Sequence, residues 1–294
     1  DGDYLWVHIA DVAALVRPDS HLDIAARGRG SNLYLPERVY PMLPASLTQQ
    51  LGMGLQDRSP ALSIGFRWAD NSLNDIQVVL SWVNVQRTTY NTVNQRMQEP
   101  EFAAIAQITN TYRAQRMARH AACINLPEVS VRLVGEDIQI NPLPRIPSRD
   151  MVTDAMLMAG EAVALFAAQN DLAIPHAMQP EPETIQQPQS LSGMYAYRRL
   201  FKASNTVLKP APHFGLGLAR YARATSPLRR YADLLVHQQL RACVTGATPL
   251  PADTMAERIA GLDAQNARIR RTERYSNMHW KLIYLQKNTD WQGE

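Results

Sequence analysis

Apolar and polar positions alternate loosely along Tyr4-Leu5-Trp6-Val7-His8-Ile9-Ala10, a run rich in β-formers that predicts a strand at the start of the chain. The turn-prone Asp1-Gly2-Asp3 before it reads as a hairpin loop whose first strand is missing. A second β-rich pattern covers Ala61 to Phe66 and Asp75 to Val85, with Asp70 and Asn71 as the turn, the signature of a β-meander. From about Glu99 to His120 the period becomes helical, and Arg113, Arg116 and His120 share one face, which reads as a solvated polar face. The proline-rich segment from Asn141 to Pro147 can continue neither a helix nor an inner strand and is expected as an extended connector. Ser148 then caps a helix to about Asn170, whose Met, Ala and Leu content on most faces places it deep in the core. The stretch from Gln179 to Ser190 reads as a surface loop, and a last long helix is predicted from about Ala252 to Gln286, with Met255, Ile259, Leu262 and Ile269 apolar. Strands first and helices later make an α+β arrangement without internal repeats.

Composition narrows the picture only a little. A chain of 294 residues, 46% hydrophobic, holds one large domain or two small ones. The formal charge of +3 gives no bulk polyelectrolyte attraction to nucleic acid or membrane. Nearly all the positive charge is arginine, with lysine only at Lys202, Lys209, Lys281 and Lys287. Arginine suits bidentate phosphate contacts and stacking on bases, although a GC-rich genome would produce the same bias. Cys123 and Cys243 stand far apart without a CxxC or a nearby His pair, so neither zinc nor a disulfide framework is signalled, and a cytoplasmic location fits. The chain has no secretory n-region and no apolar run of about 18 residues, so no membrane partner is expected.

Candidate chemistry concentrates between Pro212 and His237, PHFGLGLARYARATSPLRRYADLLVH. Gly215 and Gly217 leave room for close approach by another chain. Thr225-Ser226-Pro227 predicts a helix start, with Ser226 as N-cap and Pro227 in the first helical position. Arg229 and Arg230 would then stand in the first turn, against the helix dipole. Either an anion such as phosphate meets them or both pair with carboxylates elsewhere in the fold.

The string Thr225-Ser226-Pro227-Leu228-Arg229-Arg230-Tyr231-Ala232-Asp233-Leu234-Leu235-Val236-His237, preceded by His213-Phe214-Gly215, resembles the signature of the RNB domain of the ribonuclease II/R family. His8-Ile9-Ala10-Asp11-Val12, Leu22-Asp23, Tyr34-Leu35-Pro36-Glu37-Arg38, Pro41-Met42-Leu43-Pro44 and Arg87-Thr88-Thr89-Tyr90 follow the family's order and spacing. The resemblance implies a mixed or antiparallel twisted sheet packed with long helices. It places an RNB exoribonuclease domain at residues 1–285 and the start of a linker to an absent C-terminal OB-fold domain at 286–294. It implies a processive, magnesium-dependent 3′-to-5′ exoribonuclease that degrades single-stranded RNA to nucleoside 5′-monophosphates and acts as a monomer.

By matched position, Arg229 is similar to the catalytic arginine on the scissile phosphate, and Tyr34 to the tyrosine that holds the 3′-terminal nucleotide. Tyr90, Glu273 and Arg230 match the RNA path, and Glu273 could accept a hydrogen bond from a ribose 2′-hydroxyl. The plainer alternatives are half-buried tyrosines and a surface ion pair of Glu273 with Arg274. The family's magnesium ligands are aspartates expected upstream of Asp1, so no metal ligand is assigned within the chain; Asp11 and Asp23 look structural, and Asp1 and Asp3 make a poor substitute. Little or no magnesium-dependent nuclease activity is therefore expected of this chain by itself, and an inactive RNA-binding scaffold is the alternative. Three positions depart from the family: Ile124 where an aromatic can stack on a base, Thr153-Asp154 where two acids are common, and Gln238 where arginine is common.

Overall fold

The computed structural model describes residues 4–288. In chain order the elements are β1 (Leu5–Ala10), α1 (His21–Arg29), β2 (Leu33–Tyr34), β3 (Val39–Tyr40), α2 (Ala45–Leu51), β4 (Ser59–Ala69), β5 (Ser72–Val83), α3 (Tyr90–Gln95), α4 (Pro100–Ala118), β6 (Val129–Val134), β7 (Asp137–Pro142), α5 (Pro147–Gln169), β8 (His176–Met178), α6 (Leu191–Leu200), β9 (Asn205–Val207), α7 (Tyr231–Thr245), α8 (Ala252–Ile259) and α9 (Leu262–Lys287). The strands form antiparallel sheets in the orders β1-β4-β5, β2-β3, β6-β7 and β8-β9. These antiparallel sheets packed with long helices are the α+β arrangement that the sequence implied.

The β4–β5 hairpin turns where the polar pair predicted it. Asp70 and Asn71 both take positive φ, 52° and 55°, the left-handed conformation that a two-residue hairpin turn requires and that Asp and Asn tolerate. One face of this sheet (Ile9, Leu62, Ile64, Phe66, Val78) packs on Leu157, Met158, Ala162 and Val163 of α5. A second core gathers Val12, Met42, Leu43, Leu47, Met255 and Leu262. Helix α7 joins the two: Val236 and Leu240 enter the first core, and Leu234 and Leu235 the second.

Asp23 ties the second core together. It is fully buried, and its carboxylate accepts from Tyr231 Oη (3.2 Å), Gln238 Nε2 (2.9 Å), Arg27 Nη2 (3.1 Å), Arg258 Nη1 (3.4 Å) and the Asp19 amide (3.0 Å). One side chain thus pins α1 to α7 and α8. The family departure at Gln238 is part of this network.

Several expectations need correction. Of the connector expected from Asn141 to Pro147, Asn141 and Pro142 instead end strand β7, paired with β6, where Pro142 is tolerated because it ends the strand; residues 143–146 connect it to α5 as expected. Ser148 does not cap α5: the helix starts at Pro147, and the Ser148 hydroxyl donates instead to the Tyr90 carbonyl at 2.7 Å. The last helix is two, because Gly261 at φ +83° breaks it between α8 and α9. Arg113 and Arg116 are not a solvated face, since both turn onto the buried Asp154 of α5. Helix α5 is long and apolar enough to cross a membrane by length and composition, against the reading that no such run exists; 56% of that window is buried in the fold. The Asp1-Gly2-Asp3 turn lies outside the described residues.

Removing one partner from a buried charge network leaves the others desolvated and unpaired. Asp23→Ala is expected to lower the unfolding free energy by about 3–5 kcal/mol, measured by urea titration. His176 and His213 are buried, and burial first, then nearby arginines, pushes both imidazoles down to about 4. The unfolded chain therefore binds protons that the folded one refuses, so stability falls as pH drops from about 6.5 towards 4. A His176→Leu/His213→Leu variant should flatten that slope in urea titrations at several pH values.

Candidate functional site

The segment after α1 and the segment before α7 are held side by side by their backbones. The Tyr231 amide donates to the Gly30 carbonyl (2.8 Å) and the Asn32 amide to the Arg229 carbonyl (3.0 Å), bridging Ser31 and Arg230. This pairing draws Arg230 into an extended conformation (φ −140°, ψ 124°), so α7 starts only at Tyr231. Ser226 is therefore not its N-cap. Its carbonyl closes a turn by accepting from the Arg229 and Arg230 amides, at 3.1 and 3.0 Å. The two arginines precede the helix instead of occupying its first turn.

The cleft beside this pairing measures about 240 Å³, and Tyr34, Arg229, Arg230 and Glu273 all line it. Four of the five proposed site residues thus come together from β2, the Ser226 turn and α9. The Glu273 carboxylate accepts from the Tyr34 amide at 2.9 Å, across 239 residues of sequence, and Asn32 Nδ2 donates to the Tyr34 hydroxyl at 3.1 Å. Glu273 is accordingly a positioning group for Tyr34 and not a surface partner of Arg274, whose guanidinium lies over the Tyr275 ring. Tyr34 keeps an exposed ring, at 42% relative exposure.

The two arginines of the motif divide between the two alternatives. Arg230 pairs with the fully buried Asp233 at 2.7 Å, and Asp233 also accepts from the Ser226 amide at 2.8 Å. Burial opposes the charge on Arg230, but Asp233 more than offsets it and holds its pKa above the ordinary value. Arg229 is exposed and has no ion-pair or side-chain hydrogen-bond partner among the described residues. Arg223 and Arg270 line the same cleft, making four guanidiniums with Arg229 and Arg230, against the two carboxylates of Asp233 and Glu273. Burial and then the neighbouring Arg230 hold the Arg223 pKa below its ordinary value. Both carboxylates are already engaged, so the cleft presents a surplus of positive charge suited to a phosphate. Asn32, Arg223 and Arg270 were missed in the sequence; only the arginine bias hinted at the last two.

Tyr90 stands elsewhere. It opens α3 with its ring under the Arg149 guanidinium, 5.0 Å from the centroid. Arg149 lines another cleft, of about 410 Å³, with Ile124, Thr153 and Asp154, and the two clefts share no residue. Asp154 there is engaged by Arg113 and Arg116. Gly217, at φ +66°, closes the loop against α4, where a Cβ would lie 2.6 Å from the Arg116 carbonyl oxygen, and a Cβ on Gly215 would meet Gln179 Oε1, so the close approaches at these glycines are within the chain itself.

Among the described residues no three His, Cys, Asp or Glu side chains converge to hold a metal ion. Asp11 pairs with Arg241 and Asp23 is consumed by its hub, so neither is available as a ligand. The described residues therefore do not fit a divalent-metal centre.

A family model for the RNB domain matches residues 1–246. An uncharacterised ribonuclease of Synechocystis sp. is 32% identical over 311 residues, covering 99% of this chain and 46% of the relative, so the chain spans about half of that protein. Mycoplasma genitalium RNase R in complex with ribose-methylated single-stranded RNA has a similar fold, with a TM-score of 0.85 and 22% identity over 97% of this chain and 54% of that one. Yeast Ssd1, a pseudonuclease, also has it, with a TM-score of 0.75 and 15% identity over 93% of this chain and 40% of that one. The motif strings, the arginine-lined cleft and the matches together establish that the chain belongs to the RNB family, the catalytic domain of RNase II/R-type 3′-to-5′ exoribonucleases.

Proposed function

We propose that the protein is a processive 3′-to-5′ exoribonuclease that feeds single-stranded RNA into the Tyr34–Arg229 cleft and releases nucleoside 5′-monophosphates. The observation that supports this reading is that Arg229, without an ion-pair partner among the described residues, lines the same cleft as Tyr34, where Asp233 is paired with Arg230 and one Glu273 oxygen accepts from the Tyr34 amide. A phosphodiester brings the negative charge the cleft lacks, and a terminal base brings a face for the exposed tyrosine. Arg229 then steadies charge developing on the phosphate, a role that an arginine already neutralised by a carboxylate could not fill. Arg230, committed to Asp233, fixes the loop that presents Arg229. Glu273 uses one oxygen on the Tyr34 amide and keeps the other for a ribose 2′-hydroxyl. Tyr90, with Arg149, contacts the strand away from the reacting end.

In this reading the magnesium ligands are aspartates upstream of Asp1, and the metal would supply the activated water. The contribution of this chain's own residues is phosphate and nucleotide positioning. The compartment is cytoplasmic in this reading and the enzyme works as a monomer without a membrane partner.

In the full-length protein supplied with magnesium, Arg229→Ala should slow single-turnover hydrolysis about a hundredfold or more while weakening RNA binding about tenfold or less. Equal loss in both, or in neither, contradicts the assignment. Glu273→Gln keeps an acceptor for the Tyr34 amide but weakens the contact to ribose. It should therefore narrow the preference for RNA over DNA of the same sequence by about fivefold, read in a competition binding assay.

A further inference from the structure

The face of the β1-β4-β5 sheet turned away from α5 carries a row of aromatic rings. Leu5 and Val7 pack on the core, while Tyr4, Trp6 and His8 line up on the opposite face at the two-residue period of a strand. The Tyr4 and Trp6 rings are 5.8 Å apart with planes 27° from parallel, and the Trp6 and His8 rings are 6.3 Å apart and 5° from parallel. Opposite Trp6 in the register is Gly65. A Cβ there would lie 2.6–2.7 Å from three atoms of the six-membered ring. Such near-equal distances mark a ring laid face-on over the glycine, and any side chain in that position would lift it.

The two outer rings are also held at their edges. The Tyr4 hydroxyl accepts from Gln77 Nε2 at 2.9 Å, and His8 Nδ1 is bonded to the Ser63 hydroxyl at 2.6 Å, which is itself bonded to Ser81 Oγ at 2.5 Å. Rings fixed in this way lose little further freedom when something stacks on them.

The row has a cation at each end. At the Tyr4 end the Arg67 guanidinium lies over the ring, 4.7 Å from its centroid, partly neutralised by Asp75 at 3.2 Å. Beyond His8 a cleft of about 220 Å³ has His8 in one wall and Thr225 to Arg229 in the other. Arg229 in turn lines the cleft of Tyr34, so the ring row is continuous with the candidate site.

We propose that Tyr4, Trp6 and His8 form a stacking platform for single-stranded RNA, taking about three consecutive bases, one per ring, of the strand whose end lies in the Tyr34–Arg229 cleft. This rests on RNA being the ligand of that cleft. The pre-set rings, the guanidinium at both ends and the continuity with the cleft favour a polyanion of flat bases over an apolar protein segment, which would select aliphatic side chains in a groove.

The test is equilibrium binding by fluorescence anisotropy, with the 294-residue chain in EDTA and 5′-labelled oligouridylates of about four and about twelve nucleotides. The shorter one fills only the cleft and the longer one reaches the platform. Trp6→Leu removes the π-face but keeps apolar cover over Gly65. It should weaken the longer ligand by about fivefold or more and leave the shorter within about twofold, and Trp6→Phe should recover most of the loss. If Trp6→Leu does not fold, as judged by its melting transition, His8→Ala carries the same test at the exposed ring, with a loss of about threefold for the longer ligand alone. Unchanged affinity for the longer ligand, or equal loss for both, overturns the platform and leaves the cleft assignment standing. Absence of binding of either ligand to the unmodified chain overturns both.

Discussion

The site depends on two backbone hydrogen bonds that lock Gly30–Asn32 to Arg229–Tyr231. These segments lie about two hundred residues apart in the chain, and neither belongs to a large sheet whose pairing would bring them together. The lock holds because Asp23 fixes α1 against α7 just behind it, where a carboxylate buried among five donors has no alternative partner of equal worth. From the lock follow the extended Arg230, the late start of α7, the outward Arg229 and the meeting of Tyr34 with Glu273 of α9.

Charge is distributed on the same logic. The fold satisfies its buried carboxylates with specific arginines: Asp23 with Arg27 and Arg258, Asp154 with Arg113 and Arg116, Asp233 with Arg230, Asp11 with Arg241. The arginine-rich composition is thus in large part structural. What is left over in the cleft, Arg229 above all, is meaningful because so many other arginines are spoken for. A small net charge conceals a local surplus, so bulk charge is a poor guide to what the cleft attracts.

What could be read from the sequence was set by how local each determinant is. The β4–β5 hairpin was legible because its Asp70-Asn71 turn is encoded in adjacent residues, and α5 because its apolar content extends over most faces. Ser226-Pro227 carries a sound local helix-start signal that the bridge to Ser31 overrides, so the helix begins later. Arg113 and Arg116 look solvent-facing until Asp154, on another helix, is placed opposite. Tyr34, Arg229, Arg230 and Glu273 were reached by resemblance to the family motif, since no local pattern links Glu273 to an amide 239 residues away. The β6–β7 hairpin was legible as well, in the alternation of Val129, Val131 and Leu133 and of Ile138 and Ile140 about Gly135-Glu136, whereas the break at Gly261 rests on a single glycine inside an otherwise helical pattern.

The account's central claim is that the cleft framed by Tyr34 and Arg229 receives the 3′ end of an RNA strand. The most direct measurement is photo-crosslinking of this chain, without divalent metal, to a short oligonucleotide with a photoreactive base only at its 3′ terminus, followed by mapping of the modified peptide. The account predicts adducts at Asn32–Tyr34 or in the Ser226–Arg230 turn, lost when the same base is moved to the 5′ terminus. Adducts that map away from both segments, or that do not depend on which end carries the base, would contradict it.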